Sequence, residues 1–191
     1  MRQTYFSERV RDLALSEARV ERGKCAADIG AGTGFVTIGL IRQGLKVLAL
    51  DESLQMLQVL RNKTSGVPDL HCCIGNAERL PVRKCAVDYV FANMCLHHVV
   101  HPPAAIREMA RILKKEGTLI ITDLDAHLYE FLTQERTDKW MGFKGSDVQA
   151  WFAQAGLKDV TVSDTGERAH VPSDSTDDCA DIGIFVARGK K

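Results

Sequence analysis

A glycine-rich turn carries the residue types in this chain that are best suited to binding a small charged ligand. Residues 28–34 read Asp-Ile-Gly-Ala-Gly-Thr-Gly, so that three glycines fall within five positions. Glycine adopts positive φ and leaves room where a side chain would clash, which lets the backbone between a strand and a helix approach a nucleotide-like ligand. The turn therefore predicts a ligand-binding loop.

The spacing and charge of this turn restrict the kind of ligand. A dinucleotide fingerprint has a G-x-G-x-x-G pattern, but here the third glycine comes one residue early, at Gly34. The turn also lacks the lysine and following hydroxyl of a Walker-type phosphate loop. Because its one charged residue is Asp28, the turn would repel a pyrophosphate and attract an ammonium group. A cationic ligand therefore fits better.

Residues 28–34 resemble the first motif of the class I, Rossmann-like methyltransferases that use S-adenosylmethionine, and four later segments resemble the motifs that follow it. These segments are the apolar run that ends at Asp51, residues 75–81, residues 86–93 with the Met-Cys-Leu-His-His that follows, and residues 107–121. The last segment is closely similar to small-molecule methyltransferases of ubiquinone and menaquinone biosynthesis. Because five motifs occur in the family's order, the resemblance is far stronger than a single glycine signature.

The resemblance implies S-adenosylmethionine as the cofactor and S-adenosylhomocysteine as the product. In that family the glycine turn contacts the methionine and ribose parts, Asp51 accepts hydrogen bonds from ribose hydroxyls, and Met56 and Asn76 lie at the adenine. Met56 is equally consistent with a core position, and Asn76 stands where an aspartate is common, although an amide still accepts a hydrogen bond. The predicted cofactor-binding set is Asp28, Gly30, Ala31, Gly32, Thr33, Gly34, Asp51, Glu52, Met56, Asn76, Ala77 and Asn93.

Two adjacent histidines are the candidate catalytic residues. His97 or His98, after a predicted strand, is placed to remove a proton from the acceptor as the methyl group moves. We favour the alternative that the pair packs and hydrogen-bonds a loop over the cofactor. A base is optional because the sulfonium is already a strong methylating agent, and the protein mainly has to align the nucleophile, methyl carbon and sulfur.

The acceptor is expected to be a small molecule bound by segments that surround this scaffold. The candidate contacts are Tyr5, Cys95, and two residues of the connection 124–145, His127 and Trp140. The aromatic residues are equally consistent with packing in the core. Cys95 leaves open an arsenite, soft-metalloid or thiol methyltransferase. A non-catalytic sensor or partner subunit that binds S-adenosylmethionine is the alternative from another class.

The six cysteines show no C-x-x-C spacing, and we expect reduced residues, mostly in buried strands, and no metal site; they are Cys25, Cys72, Cys73, Cys85, Cys95 and Cys179. The 25 basic and 25 acidic residues balance, which argues against a nucleic-acid partner. No apolar run approaches the roughly 18 residues of a membrane span, and the first residues lack the apolar core of a signal peptide. We therefore expect a cytoplasmic protein, and the short chain is compatible with a homodimer.

The elements that must position these residues are those of an α/β protein. The predicted fold is a Rossmann-like, doubly wound, seven-stranded and mostly parallel sheet with an antiparallel last strand and helices on both faces. The chain is expected to form a single methyltransferase domain, residues 1–191. Its predicted parts are an N-terminal helix or lid (1–22), a cofactor-binding core (23–123), a substrate-side connection (124–145), and a C-terminal helix with closing strands (146–191).

Four local patterns add predictions about element ends. Apolar residues at 54, 57 and 60 predict one buried face of a helix. A helix that begins at Pro102 is expected to run through two lysines to a stop at Gly117. Ser146 and Gln149 fit a capping box, and the polar stretch 164–181 predicts a mobile hairpin between short strands at 159–163 and 182–187.

Overall fold

The computed structural model describes residues 7–191, which form one seven-stranded sheet with helices packed against it. The strands are β1 (Cys25–Ile29), β2 (Lys46–Asp51), β3 (Leu70–Ile74), β4 (Val87–Asn93), β5 (Leu113–Leu124), β6 (Lys158–Pro172) and β7 (Cys179–Lys190). The helices are α1 (Glu8–Ala18), α2 (Phe35–Arg42), α3 (Leu54–Lys63), α4 (Pro102–Ile112), α5 (Phe131–Glu135) and α6 (Gly145–Gln154), with a short 3₁₀ turn at Leu96–His98.

The strand order is β3-β2-β1-β4-β5-β7-β6. The pairs among β1 to β5 are all parallel, and β7 runs antiparallel to both of its neighbours, β5 and β6. The predicted mostly parallel sheet with an antiparallel last strand is therefore confirmed. Its order reverses between β1 and β4, and the carboxyl ends of strands at such a reversal frame a crevice that suits a ligand.

The central strands are covered on both faces, which is why they read as nearly continuous apolar runs. On one face, Met109 of α4 and Phe152 of α6 lie in a buried cluster with alternate residues of the sheet. On the other, Leu15 of α1 and Leu40 of α2 pack with Phe91 of β4. This two-sided packing holds the strand ends at the crevice in fixed positions.

The predicted buried face of α3 is wrong at its first position. Leu57 and Leu60 are buried, but Leu54 is 50% exposed. Residues three apart turn by about 60° from each other around a helix, so that Leu54 and Leu60 lie about 120° apart. A row of residues spaced three apart therefore winds around the helix, and its first member, Leu54, does not face the sheet.

The helix α4 ends earlier than predicted. Its last residue is Ile112, and Leu113 already pairs with Val87 of the neighbouring strand. Gly117 consequently lies inside β5, where an added Cβ would come within 2.9 Å of the Asp88 carbonyl oxygen. The pairing with β4 is a long-range interaction that outweighs the local preference of the lysines for a helix.

Three further predictions are corrected, two about the second half of the chain and one about the cysteines. Helix α6 begins at Gly145 after Lys144, and no side chain caps it, so the predicted capping box does not form. Strands β6 and β7 extend through most of the polar stretch, because Arg168 to Pro172 pair with Cys179 to Gly183. The cysteines are all free, but only Cys95 is buried; the other five are partly or fully exposed.

Candidate functional site

A cleft of about 690 Å³ opens at the carboxyl ends of β1, β2 and β4. Of the predicted cofactor residues, all but Gly34 line it: Asp28, Gly30, Ala31, Gly32, Thr33, Asp51, Glu52, Met56, Asn76, Ala77 and Asn93. Cys95 and His98 line the same cleft. Among the described residues, His97, His127 and Trp140 do not line it, and Tyr5 lies outside the described residues.

The glycines of the turn have different structural roles. Gly30, Gly32 and Gly34 all have positive φ, which other residues adopt with strain. At Gly30 an added Cβ would lie 2.6 Å from the Cys95 sulfur, so this glycine lets the turn approach β4's end closely. Gly34 is the N-cap of α2, and an added Cβ there would collide with Leu60. Gly34 therefore serves helix packing, and Gly30 and Gly32 shape the cleft wall.

Asp51 holds the turn in place. One carboxylate oxygen accepts the Gly32 backbone N–H at 2.8 Å, and the other accepts the Ser53 N–H at the same distance. Each oxygen of a carboxylate has a second lone-pair direction. Asp51 thus connects the end of β2 to the glycine turn and still has acceptor capacity toward the cleft.

Asp28 is a buried carboxyl group at the floor of the cleft. It is 2% exposed and accepts a 2.5 Å hydrogen bond from the Thr37 hydroxyl. Burial raises the pKa of Asp28 to about 7, against the lowering effect of that hydrogen bond. Near neutral pH a cation in the cleft would therefore favour the ionised carboxylate, since it supplies the compensating charge that water cannot.

A second wall of the cleft is built from the loops after β2 and β3. The Asn76 amide nitrogen donates to Glu52, and its amide oxygen accepts the Glu78 N–H at 2.7 Å. Met56, on the first turn of α3, adds an apolar surface to the same cleft. The Asn76 side chain therefore joins the two loops, and both its donor and its acceptor already have protein partners.

The far end of the cleft lies after β4. The Thr122 hydroxyl donates to the Asn93 amide oxygen at 2.7 Å, which fixes that side chain. Burial, and then the charge of Asp123, raise the pKa of the Cys95 thiol well above its usual range. The thiolate is the reactive and metal-binding form of cysteine. Cys95 is therefore a neutral thiol, which argues against its use as a soft ligand.

The two adjacent histidines point to different places. His97 is buried, and its Nδ1 lies 2.5 Å from an oxygen of the fully buried Asp123. His98 is only partly buried and lines the cleft. The backbone N–H groups of Lys139 and Trp140 donate to the His97 carbonyl oxygen at 2.9 and 3.2 Å. His97 thus fixes the loop after β4 against the connection between β5 and α6, and His98 is the histidine that reaches the cleft.

The other predicted acceptor contacts lie at the edge of this region. The Trp140 indole N–H donates to the Val99 carbonyl oxygen at 3.0 Å. His127 accepts the Tyr129 N–H on Nδ1 at 3.2 Å, and burial, followed by the charge of His97, lowers the pKa of its imidazole. Trp140 therefore holds the connection against Val99, and His127 stabilises a turn within the connection.

Sequence reasoning missed two carboxylates at this site, Asp123 and Asp138. Asp123 ends a buried strand beside β4, so its position next to His97 was accessible from the rule that parallel strands end at one edge. Asp138 lies in an irregular segment and is 8% exposed. No local pattern marks it, because its burial depends on how the connection folds back.

The comparisons with known proteins agree with this geometry. A family model described as a methyltransferase domain matches residues 27–121. The chloroplastic 2-methyl-6-phytyl-1,4-hydroquinone methyltransferase 1 of Oryza sativa subsp. japonica is 30% identical over 168 residues, 86% of this chain and 50% of that protein. The bifunctional biotin biosynthesis protein BioHC of Cellvibrio japonicus is 37% identical over 97 residues, 51% of this chain and 19% of that protein.

Solved structures with the same fold include two that are described as putative methyltransferases. The YcgJ protein of Bacillus subtilis superimposes with a TM-score of 0.80 at 19% identity, covering 97% of this chain and 99% of that one. The chain spans half or less of the length of the two curated relatives named above. The matched region contains the glycine turn, Asp51 and the strand ends of the cleft. Residues 27–121 of the chain therefore match the family of Rossmann-like methyltransferase domains that use S-adenosylmethionine.

Proposed function

We propose that this protein transfers a methyl group from S-adenosylmethionine to a small-molecule acceptor by in-line displacement. The observation that carries the proposal is one continuous cleft. At one end it has a buried carboxylate, a glycine turn and Asp51, and at the other it has Asn93, Cys95 and His98. A cleft of this kind places a cationic donor and a neutral acceptor in contact with each other.

The residues at the donor end fit the cofactor. Asp28 is buried and needs a compensating cation when ionised, which the ammonium group provides. Beside Gly32 an added Cβ would find only the Gly30 carbonyl oxygen, at 3.9 Å, so the backbone there is open to a ligand. Asp51 has acceptor capacity for ribose hydroxyls. The assignment of the predicted cofactor set to these roles is part of the proposal.

In the reaction, the bond between the methyl carbon and sulfur breaks as the acceptor forms its bond to that carbon. The electron pair of the broken bond stays on sulfur, giving S-adenosylhomocysteine, and a proton displaced from the acceptor goes to water. The protein contributes alignment and partial exclusion of solvent. Of the two predicted catalytic histidines, His98 faces the acceptor end, and His97 acts as a positioning residue through the loop that it holds.

The name of the rice relative states a hydroquinone acceptor for that protein. We propose an acceptor with an apolar part, since Val99 and Val100 add apolar surface near His98 at one end of the cleft. No helix within residues 7–191 is long and apolar enough to cross a membrane. Cytoplasmic location, a single domain and a homodimer stay predictions.

The proposal is tested by incubating the protein with S-adenosylmethionine and a panel of quinols, phenols, amines, thiols and arsenite, and by quantifying S-adenosylhomocysteine. Turnover with one acceptor class supports the proposal if, at subsaturating cofactor, it is at least severalfold lower in Asp51→Ala and unchanged in Asp177→Asn. Asp177 is exposed in the loop between β6 and β7. Cofactor binding with no product from any acceptor would favour the sensor alternative. Turnover restricted to thiols or arsenite and abolished by Cys95→Ser would restore the soft-acceptor alternative.

A further inference from the structure

Two histidines and a carboxylate converge beside the acceptor end of the cleft. One donor atom from each of His97, His98 and Asp138 lies within 4.8 Å of the other two. The Asp138 oxygen Oδ1 is 3.4 Å from His98 Nδ1 and 3.8 Å from His97 Nε2. Imidazole and carboxylate are the donor set that transition-metal cations such as Zn²⁺ take in protein sites with an open position.

The separations suit a shared cation. Ligands about 2.0–2.2 Å from a tetrahedral Zn²⁺ stand roughly 3.3–3.6 Å apart. The distances of 3.4 and 3.8 Å to Asp138 fall within and just beyond this range. The third separation, between nitrogen atoms of His97 and His98, is no more than 4.8 Å, so a shift of at most about 1.5 Å would bring all three donor atoms to a common ion.

Asp123 supplies the outer partner that metal-binding histidines usually have. It accepts the backbone N–H groups of Leu96 and Leu124, both at 2.8 Å, which favours its ionised form. The same carboxylate faces His97 Nδ1 at 2.5 Å, so the proton of a neutral imidazole belongs on Nδ1 and the Nε2 lone pair is directed toward Asp138. This carboxylate–histidine arrangement fixes the ring orientation and raises the basicity of the donor nitrogen.

Two carboxylates and a fixed backbone surround His97. Asp123 is fully buried and Asp138 is 8% exposed, so both carboxylates lie close to His97 away from bulk water. The two chain segments are already held together, because Lys139 and Trp140 donate to the His97 carbonyl oxygen. Asp138 is therefore kept next to the histidines.

We propose that His97, His98 and Asp138 bind a divalent transition-metal cation, with Asp123 orienting His97. This inference revises the sequence-based expectation of no metal site. Because His98 also lines the cleft, a bound cation would act as a Lewis acid close to the acceptor, where it lowers the pKa of a hydroxyl. This consequence rests on the proposed function, whereas metal binding itself does not.

The test uses the full chain after removal of metal with a chelator, and it requires neither cofactor nor acceptor. Titration calorimetry with Zn²⁺ should give one equivalent of tight binding. Asp138→Asn and His98→Ala should each weaken it at least tenfold, the scale of losses in metal-site variants. Asp177→Asn and His71→Ala change exposed residues elsewhere and should leave the affinity unchanged.

Cobalt distinguishes this site from binding by the six free cysteines. Co²⁺ at the proposed site should give visible d–d absorption without a thiolate-to-cobalt charge-transfer band. Such a band, or affinity that survives both site substitutions, would overturn the proposal. Circular dichroism checks that each variant is folded, and if Asp138→Asn unfolds, the partly exposed His98 still provides the test. If no metal binds at this site, the methyltransferase assay can still detect methyl transfer, so the failure of one proposal is distinguishable from the failure of the other.

Discussion

Binding of S-adenosylmethionine should become tighter as the pH rises toward 7, because the carboxyl group that faces the donor end of the cleft is protonated at lower pH. Burial raises the pKa of Asp28 from 3.8 to about 7. At pH 6, one unit below that value, about one tenth of the molecules carry the ionised form that attracts an ammonium group. The apparent Kd should therefore be about tenfold weaker at pH 6 than on its plateau.

The plateau should be narrow, because the amino group of the cofactor loses its own proton at about pH 7.7–8.0. Titration calorimetry at several pH values between about 5.5 and 8 measures the curve. Asp28→Asn keeps the hydrogen-bonding shape beside Thr37 and removes the titrating charge. The variant should bind S-adenosylmethionine about 1.5–3 kcal/mol more weakly at pH 7.5, which is the usual contribution of a hydrogen bond to a charged group.

The slope with pH should disappear in the same variant. Below pH 7 the wild-type protein should release a proton as the cofactor binds, so that the measured heat depends on the ionisation enthalpy of the buffer. A wild-type Kd that stays constant from pH 5.5 to 7.5, or an equal slope in Asp28→Asn, would refute the role of this carboxyl group.

The same raised pKa of Asp28 should make the cofactor-free protein less stable as the pH rises. The folded pKa of Asp28 lies above its unfolded value, so the unfolded chain loses this proton first, and stability falls as the pH rises from about 4 to 7. Asp28→Asn should therefore stabilise the free protein at pH 8 by up to about 4 kcal/mol, with no difference near pH 4. Denaturant unfolding at the two pH values measures the change, and a wild-type protein more stable than the variant at pH 8 would contradict the sign.

Three other substitutions test single contacts in the cleft. Asp51→Ala leaves the N–H groups of Gly32 and Ser53 without their acceptor and should weaken cofactor binding by about 1–3 kcal/mol; unchanged affinity by calorimetry would contradict its assignment. Gly30→Ala should destabilise the fold by about 1–3 kcal/mol in denaturant unfolding, because the new Cβ meets the Cys95 sulfur at a positive φ. The double variant with Cys95→Ala should recover part of that loss, and no recovery would place the strain elsewhere. Cys95→Ser alone should retain methyl transfer, because the thiol is neutral at pH 7; loss of turnover in the folded variant would show that the sulfur takes part.

The fold was largely predictable because its signals are local. Parallel strands buried on both faces, such as β4 and β5, read as apolar runs, and the glycine turn marks the end of β1. The errors occur where a distant partner decides the structure. Lys114 and Lys115 read as the end of a helix, but the pairing of Leu113 with Val87 draws them into the sheet.

The same distinction applies to the site. The positions of Asp28 and Asp51 follow from spacing along the chain, and both line the cleft. The contact between His97 and Asp138 does not follow from spacing, because Asp138 reaches His97 through a connection whose course depends on tertiary packing. The structure also separated residues that look equivalent in sequence, since His97 points inward and His98 points to the cleft.

The central claim is that the cleft joins a cofactor end and an acceptor end for methyl transfer. The most direct test supplies S-adenosylmethionine with an isotopically labelled methyl group and follows the label into the acceptor panel by mass spectrometry, alongside Asp51→Ala. Labelled acceptor and S-adenosylhomocysteine should form in equal amounts with the wild-type chain, and at subsaturating cofactor the variant should form about 5- to 150-fold less of both, the loss that corresponds to 1–3 kcal/mol of binding. Tight cofactor binding with no labelled acceptor, or equal labelling by both proteins, would contradict the central claim.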